Sequence, residues 1–65
     1  MNNPPKIERL SAAIATLERR ADYLDDRIVA LGGGMNEPKS LAFDRAELRA
    51  ITAALTLMKW RRDFA

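Results

Sequence analysis

The sequence predicts an all-α fold: an antiparallel helical hairpin that assembles into a four-helix bundle-like dimer, with residues 1–65 forming a single domain. Three observations carry this. Ile7, Leu10, Ile14, Leu17, Ala21, Leu24, Ile28 and Leu31 recur at steps that alternate three and four without a break, the apolar seam of a long helix. Gly32-Gly33-Gly34 then interrupts the pattern. A second helical stretch follows, apolar around most of its circumference, so it needs cover on more than one side.

The first helix is expected over about 4–31. Asn3 suits a cap, and Pro4 suits the first helical position, where its missing N–H is no loss. The face away from the seam is charged through Glu8, Arg9, Glu18, Arg19, Asp22 and Asp26. The glycines end this helix because Gly takes the left-handed conformation of a C-cap freely, and three in a row cost too much backbone entropy to stay helical. A loop is expected over 32–43, with Pro38 disfavouring helix at the residue before it.

The second helix has two candidate starts. Ser40 is one cap. The stronger signal is Asp44-Arg45-Ala46-Glu47, a capping box flanked by Phe43 and Leu48 as a hydrophobic staple. This places the helix over about 44–63, with Ser40 to Phe43 as an ordered lead-in packed through Leu41 and Phe43. One seam of the helix is Leu48, Ile51, Leu55 and Met58. A second, nearly opposite, is Ala50, Ala53, Leu57, Trp60 and Phe64. The expected core is Ile14, Leu17, Leu24, Ile28 and Leu31 against Leu48, Ile51, Leu55 and Met58. Helix 1 would be ~40 Å long and helix 2 only ~28 Å at 1.5 Å per residue. Ile7 and Leu10 would therefore overhang, and with Leu57, Trp60 and Phe64 they form the expected inter-chain surface, most simply of a homodimer.

A small chain buries a modest fraction of its surface, so a lone core is marginal. Cys and His are absent, which removes disulfides, thiol chemistry and the usual zinc ligands. Self-association remains as the stabiliser, and 48% of the residues are hydrophobic. The start Met1-Asn2-Asn3-Pro4-Pro5 has neither the basic lead nor the apolar run of a signal peptide. The longest apolar-leaning stretch, 50–58, is too short to cross a bilayer. The expected location is the cytoplasm.

Candidate chemistry is sparse, and the expectation is a non-enzyme without cofactor or metal. The triple glycine follows a helix, whereas phosphate loops precede one, and no Gly-Lys-Ser/Thr is present. Asp22, Asp25 and Asp26 share helix faces in part, but hard cations want six or more oxygens. No imidazole is present to activate Ser11, Ser40, Thr16, Thr52, Thr56 or Tyr23. Tyr23 lies opposite the seam, as an exposed aromatic or a partner-facing anchor. Met35 and Met58 read as gap-fillers. Lys59-Trp60-Arg61-Arg62 is the one basic cluster with an aromatic. Together with Arg45 and Arg49 it raises a second reading, a small nucleic-acid-binding regulator with cations on phosphates and Trp60 stacked on a base. Cations at a helix C-terminus are also favoured by the dipole alone, and the formal charge is only +2. A third reading, a membrane-surface helix, is disfavoured by the Ala-rich seam and the capping box.

From Ala42-Phe43-Asp44-Arg45-Ala46-Glu47 through Ile51, after an amphipathic Leu/Glu/Arg/Arg helix and a Gly-rich loop, the chain resembles small Ala/Arg-rich proteins encoded by actinobacterial phages and their hosts. The resemblance covers about half the chain and carries over no site residues. It implies action by binding a host protein, in the host cytoplasm. In architecture alone the chain is similar to the dimeric hairpin of plasmid copy-number regulators of the Rop type, with no shared motif. The function expected from all of this is protein–protein contact by a self-associating hairpin.

Overall fold

The structure is a computed structural model that describes residues 6–64. It consists of two helices, α1 (Lys6–Leu31) and α2 (Leu41–Phe64). Three ion pairs between them show the antiparallel sense: Arg27 meets Asp44, Arg20 meets Glu47 and Glu18 meets Lys59. The helix start expected at Asn3 and Pro4 lies outside the described residues.

The core is the facing pair of seams. Ile14 and Leu24 on α1 and Ile51 and Leu55 on α2 are buried, with Leu10, Leu17, Ala21, Leu48 and Met58 packed around them. Two expected core members differ. Ile28 is half-buried, and Leu31 is 42% exposed. Arg27 already stands against Asp44 in the first turn of α2, so Leu31, one turn further on, has no turn of α2 left to cover it. The buried residue at that end is Leu41, with no exposed surface.

α2 begins three residues before the expected Asp44, at the start that Ser40 marks. After Pro38 the chain winds in through short-range bonds. The N–H groups of Leu41, Ala42 and Phe43 donate to the carbonyls of Pro38, Lys39 and Ser40 at 3.0, 3.2 and 3.1 Å, and Asp44 N–H donates to Ser40 O at 3.1 Å. The capping box therefore does not form. The carboxylates that would build it accept from α1 instead, Asp44 from Arg27 Nε at 3.0 Å and Glu47 from Arg20 Nε and Nη2 at 2.7 and 3.0 Å. The early start also turns Phe43 outward. Two residues beyond buried Leu41 is 200° around a helix, and Phe43 is 79% exposed rather than packed as a lead-in.

This longer α2 removes the expected mismatch in length, since both helices reach nearly 40 Å at 1.5 Å per residue. Leu10, expected to overhang, packs against the core of its own chain. The side chain of Ile7 lies outside the described residues.

The connection is tighter than a dozen-residue loop. Gly32 N–H closes the last turn onto Ile28 O at 2.8 Å, and Gly33 takes φ +80°, the left-handed C-cap the glycine run implied. Glu37 then ties the two helix ends together. Its carboxylate accepts from Gly33 N–H at 3.0 Å and from both terminal nitrogens of Arg45, one of them at 2.9 Å. Met35, expected as a gap-filler, stands fully exposed in this loop.

Candidate interaction surface

The face of α2 turned away from α1 carries a second seam that spans the helix. Phe43, Ala46, Ala50, Ala53, Leu57, Trp60 and Phe64 follow one another at steps alternating three and four, and all seven are exposed. At 100° per residue they form a stripe about 100° wide, centred about 150° around the helix from the Ile51–Leu55 core line. Leu57, Trp60 and Phe64 remain 71%, 63% and 73% exposed. The Trp60 and Phe64 rings lie with centroids 5.8 Å apart and planes tilted by 39°, so one helical turn presents a preformed aromatic pair.

The outer face of α1 is different in kind. Glu8, Arg19, Asp22 and Asp26 are exposed along it, and the guanidinium of Arg20 lies 5.2 Å from the centre of the half-exposed Tyr23 ring. The chain measures 51 × 26 × 14 Å, a slab with one charged edge and one apolar edge. Among the described residues no group of three or more carboxylates is placed to hold a metal ion, and Asp22, Asp25 and Asp26 all face solvent. No helix among them is long and apolar enough to cross a membrane.

The structure disperses the basic residues considered for nucleic acid. Arg45 is held by Glu37, Lys59 sits 3.7 Å from Glu18, and Arg62 donates to Asp63 at 3.0 Å. Arg49 and Arg61 are exposed and meet no carboxylate among the described residues. They flank the apolar stripe on opposite sides. The ion pairs set the titration pattern. The Arg45 guanidinium, aided by Gly33 N–H, holds the Glu37 carboxyl at about 2, and the Arg20 guanidinium holds that of Glu47 below its ordinary value.

Of the surface expected from sequence, Leu57, Trp60 and Phe64 stand together on the open stripe, whereas Leu10 is part of the intramolecular core. Phe43 and Ala46 extend the stripe by a full heptad. Their spacing is in the sequence, but a helix begun at Asp44 leaves Phe43 outside it.

The chain matches no protein-family model, no curated protein and no solved structure.

Proposed function

We propose that this chain is a non-enzymatic protein-interaction module that works by self-association through the outer face of α2. The observation that carries this reading is the unbroken exposed stripe from Phe43 to Phe64. A long apolar seam on a monomer's surface marks a contact site, and aromatic residues are the usual anchors of such sites. The displaced carboxyl titrations trace to ion pairs of exposed or half-exposed groups, not to a cleft built for proton transfer.

The nucleic-acid reading draws less support. With Arg45, Lys59 and Arg62 each beside a carboxylate, Arg49 and Arg61 are left to meet phosphates. Two contacts supply little of the counterion release on which such binding depends.

Sedimentation velocity across a concentration series tests the proposal. The expected result is a mass rising from one chain to two between low and high micromolar concentration. A chain that stays single at several hundred micromolar overturns self-association and moves the reading to a heterologous protein, such as the host protein that the phage resemblance implies.

A further inference from the structure

Between Ala46 and Phe64 the stripe on α2 is graded along its length. After Phe43 at its start come Ala46, Ala50 and Ala53, and then Leu57, Trp60 and Phe64. We infer that a second copy of the chain docks on it antiparallel, α2 against α2, in one register that sets each alanine against a large side chain of the other copy. This rests on the self-association proposed above and adds its orientation and register.

The distance between two packed helices follows from the side chains at the contact. A parallel, in-register pair stacks three Ala–Ala rungs between Phe43–Phe43 on one side and Leu57–Leu57, Trp60–Trp60 and Phe64–Phe64 on the other, so the helices could not keep an even spacing. Antiparallel pairing about a twofold axis that crosses the stripe midway between Ala53 and Leu57 gives three kinds of rung, each repeated by the symmetry: Ala46 with Phe64, Ala50 with Trp60 and Ala53 with Leu57. Every rung holds one small and one large residue, which keeps the helices evenly spaced. A twofold contact of this type is self-complementary and closes at two chains.

The charges beside the stripe select the same register independently. Positions that flank a coiled-coil seam face one another across it and set partner orientation. In the register above, Glu47 of one copy faces Arg61 of the other, and Arg49 faces Asp63. The two α2 arginines that meet no carboxylate among the described residues each gain one from the second copy. Glu47, already held by Arg20 on one side, receives Arg61 on the other. The neighbouring antiparallel register sets Glu47 against Ala54 and Arg49 against Thr56, and its rungs include an all-small Ala50–Ala53 and an all-large Phe43–Trp60. The parallel arrangement sets Arg49 against Ala54 and Arg61 against Thr56. Neither makes an opposite-charge pair. With aromatic side chains of ~150–250 Å² each and the exposures given for Leu57, Trp60 and Phe64, the contact removes on the order of 1,000 Å² in total from water, the lower edge of a stable interface.

The absence of Cys allows single spin labels on Ala42→Cys and, separately, Thr52→Cys, with distances read by pulsed electron paramagnetic resonance on dimeric protein. The axial offset between the two Ala42 labels is about 39 Å in the inferred register, about 28 Å in the neighbouring antiparallel one and zero in a parallel pair, at 1.5 Å per residue. The expected pattern is a long Ala42 distance near 40 Å beside a short Thr52 distance, whose axial part is only about 9 Å. A dimer with equal short distances at both sites overturns the orientation, and an Ala42 distance near 30 Å overturns the register. A chain that never dimerises overturns the parent proposal instead, as the mass measurement shows. A charge exchange gives a second readout. Arg49→Asp should weaken the dimer several-fold by facing Asp63 with a like charge, and Arg49→Asp/Asp63→Arg should restore it. A double variant no tighter than the single one rejects the pairing.

Discussion

Replacing Leu57 by Ala separates the two surfaces of α2 in one experiment. Leu57 is 71% exposed in the single chain, so its removal leaves the hairpin core untouched, and Ala is at least as good a helix former. An exposed change of this sort alters folding stability by no more than about 0.5 kcal/mol. In the proposed dimer the same side chain is covered. Trimming three carbons from a covered site costs roughly 2 kcal/mol at ~0.8 kcal/mol per methylene. Twofold symmetry makes the change twice, so the dimer should lose about 4–5 kcal/mol, or on the order of 10³ in Kd. Sedimentation equilibrium measures the Kd, and thermal unfolding at high dilution measures the hairpin. A Kd within threefold of the parent, or a melting temperature of the dilute chain lowered by many degrees, would refute the assignment of Leu57 to an inter-chain surface.

The remaining predictions concern the hairpin itself. Leu24→Ala, at a position with no exposed surface, should lower folding stability by about 2–5 kcal/mol, measured by denaturant unfolding below the dimer Kd; Leu41→Ala should do the same, and a neutral result at Leu41 would remove it from the core. Gly32→Ala should destabilise the turn, because a Cβ there would stand 2.5 Å from the carbonyl oxygen of Ile28, a backbone atom with little room to move. Acid should loosen the loop clasp: the Glu37 carboxyl is held at about 2 against an ordinary 4.5, so its contribution is complete above pH 4.5 and drains away as pH falls toward 2. Glu37→Gln should flatten that part of the acid-unfolding profile, and an unaltered profile would disprove the clasp. Fluorescence anisotropy with a labelled DNA or RNA duplex should show no binding at physiological salt, whereas binding with a steep salt slope would return Arg45, Lys59 and Arg62 to consideration.

The hairpin and its four central residues were legible in the sequence because the heptad spacing of Ile14, Leu24, Ile51 and Leu55 is a backbone-independent signal. The glycine stop was legible for a similar reason, since a positive φ such as that of Gly33 favours one residue type. The start of α2 was not. Asp44 and Glu47 have the spacing of a capping box, but the same carboxylates match Arg27 and Arg20 across the hairpin, and nothing local tells a capping carboxylate from one that pairs with a distant helix. That ambiguity moved the helix start by three residues. It also turned Phe43 from an expected packed lead-in to the surface, and it made α2 look too short to cover Leu10. The Glu37 clasp was equally hidden, because it joins a loop carboxylate to a backbone N–H and an arginine whose positions only the folded turn defines.

The placement of Trp60 has a spectroscopic consequence. It is the sole indole of the chain, and it stands at 63% exposure on the face of α2 opposite the buried Ile51–Leu55 line. Its emission is thus largely blind to the packing of α1 on α2 and responds to whatever covers the stripe. A blue shift on concentrating the protein at constant far-ultraviolet ellipticity records assembly of finished hairpins. Emission and ellipticity that move together record helices that form only as they associate. The unaltered chain thus carries its own reporter of whether folding precedes partnership.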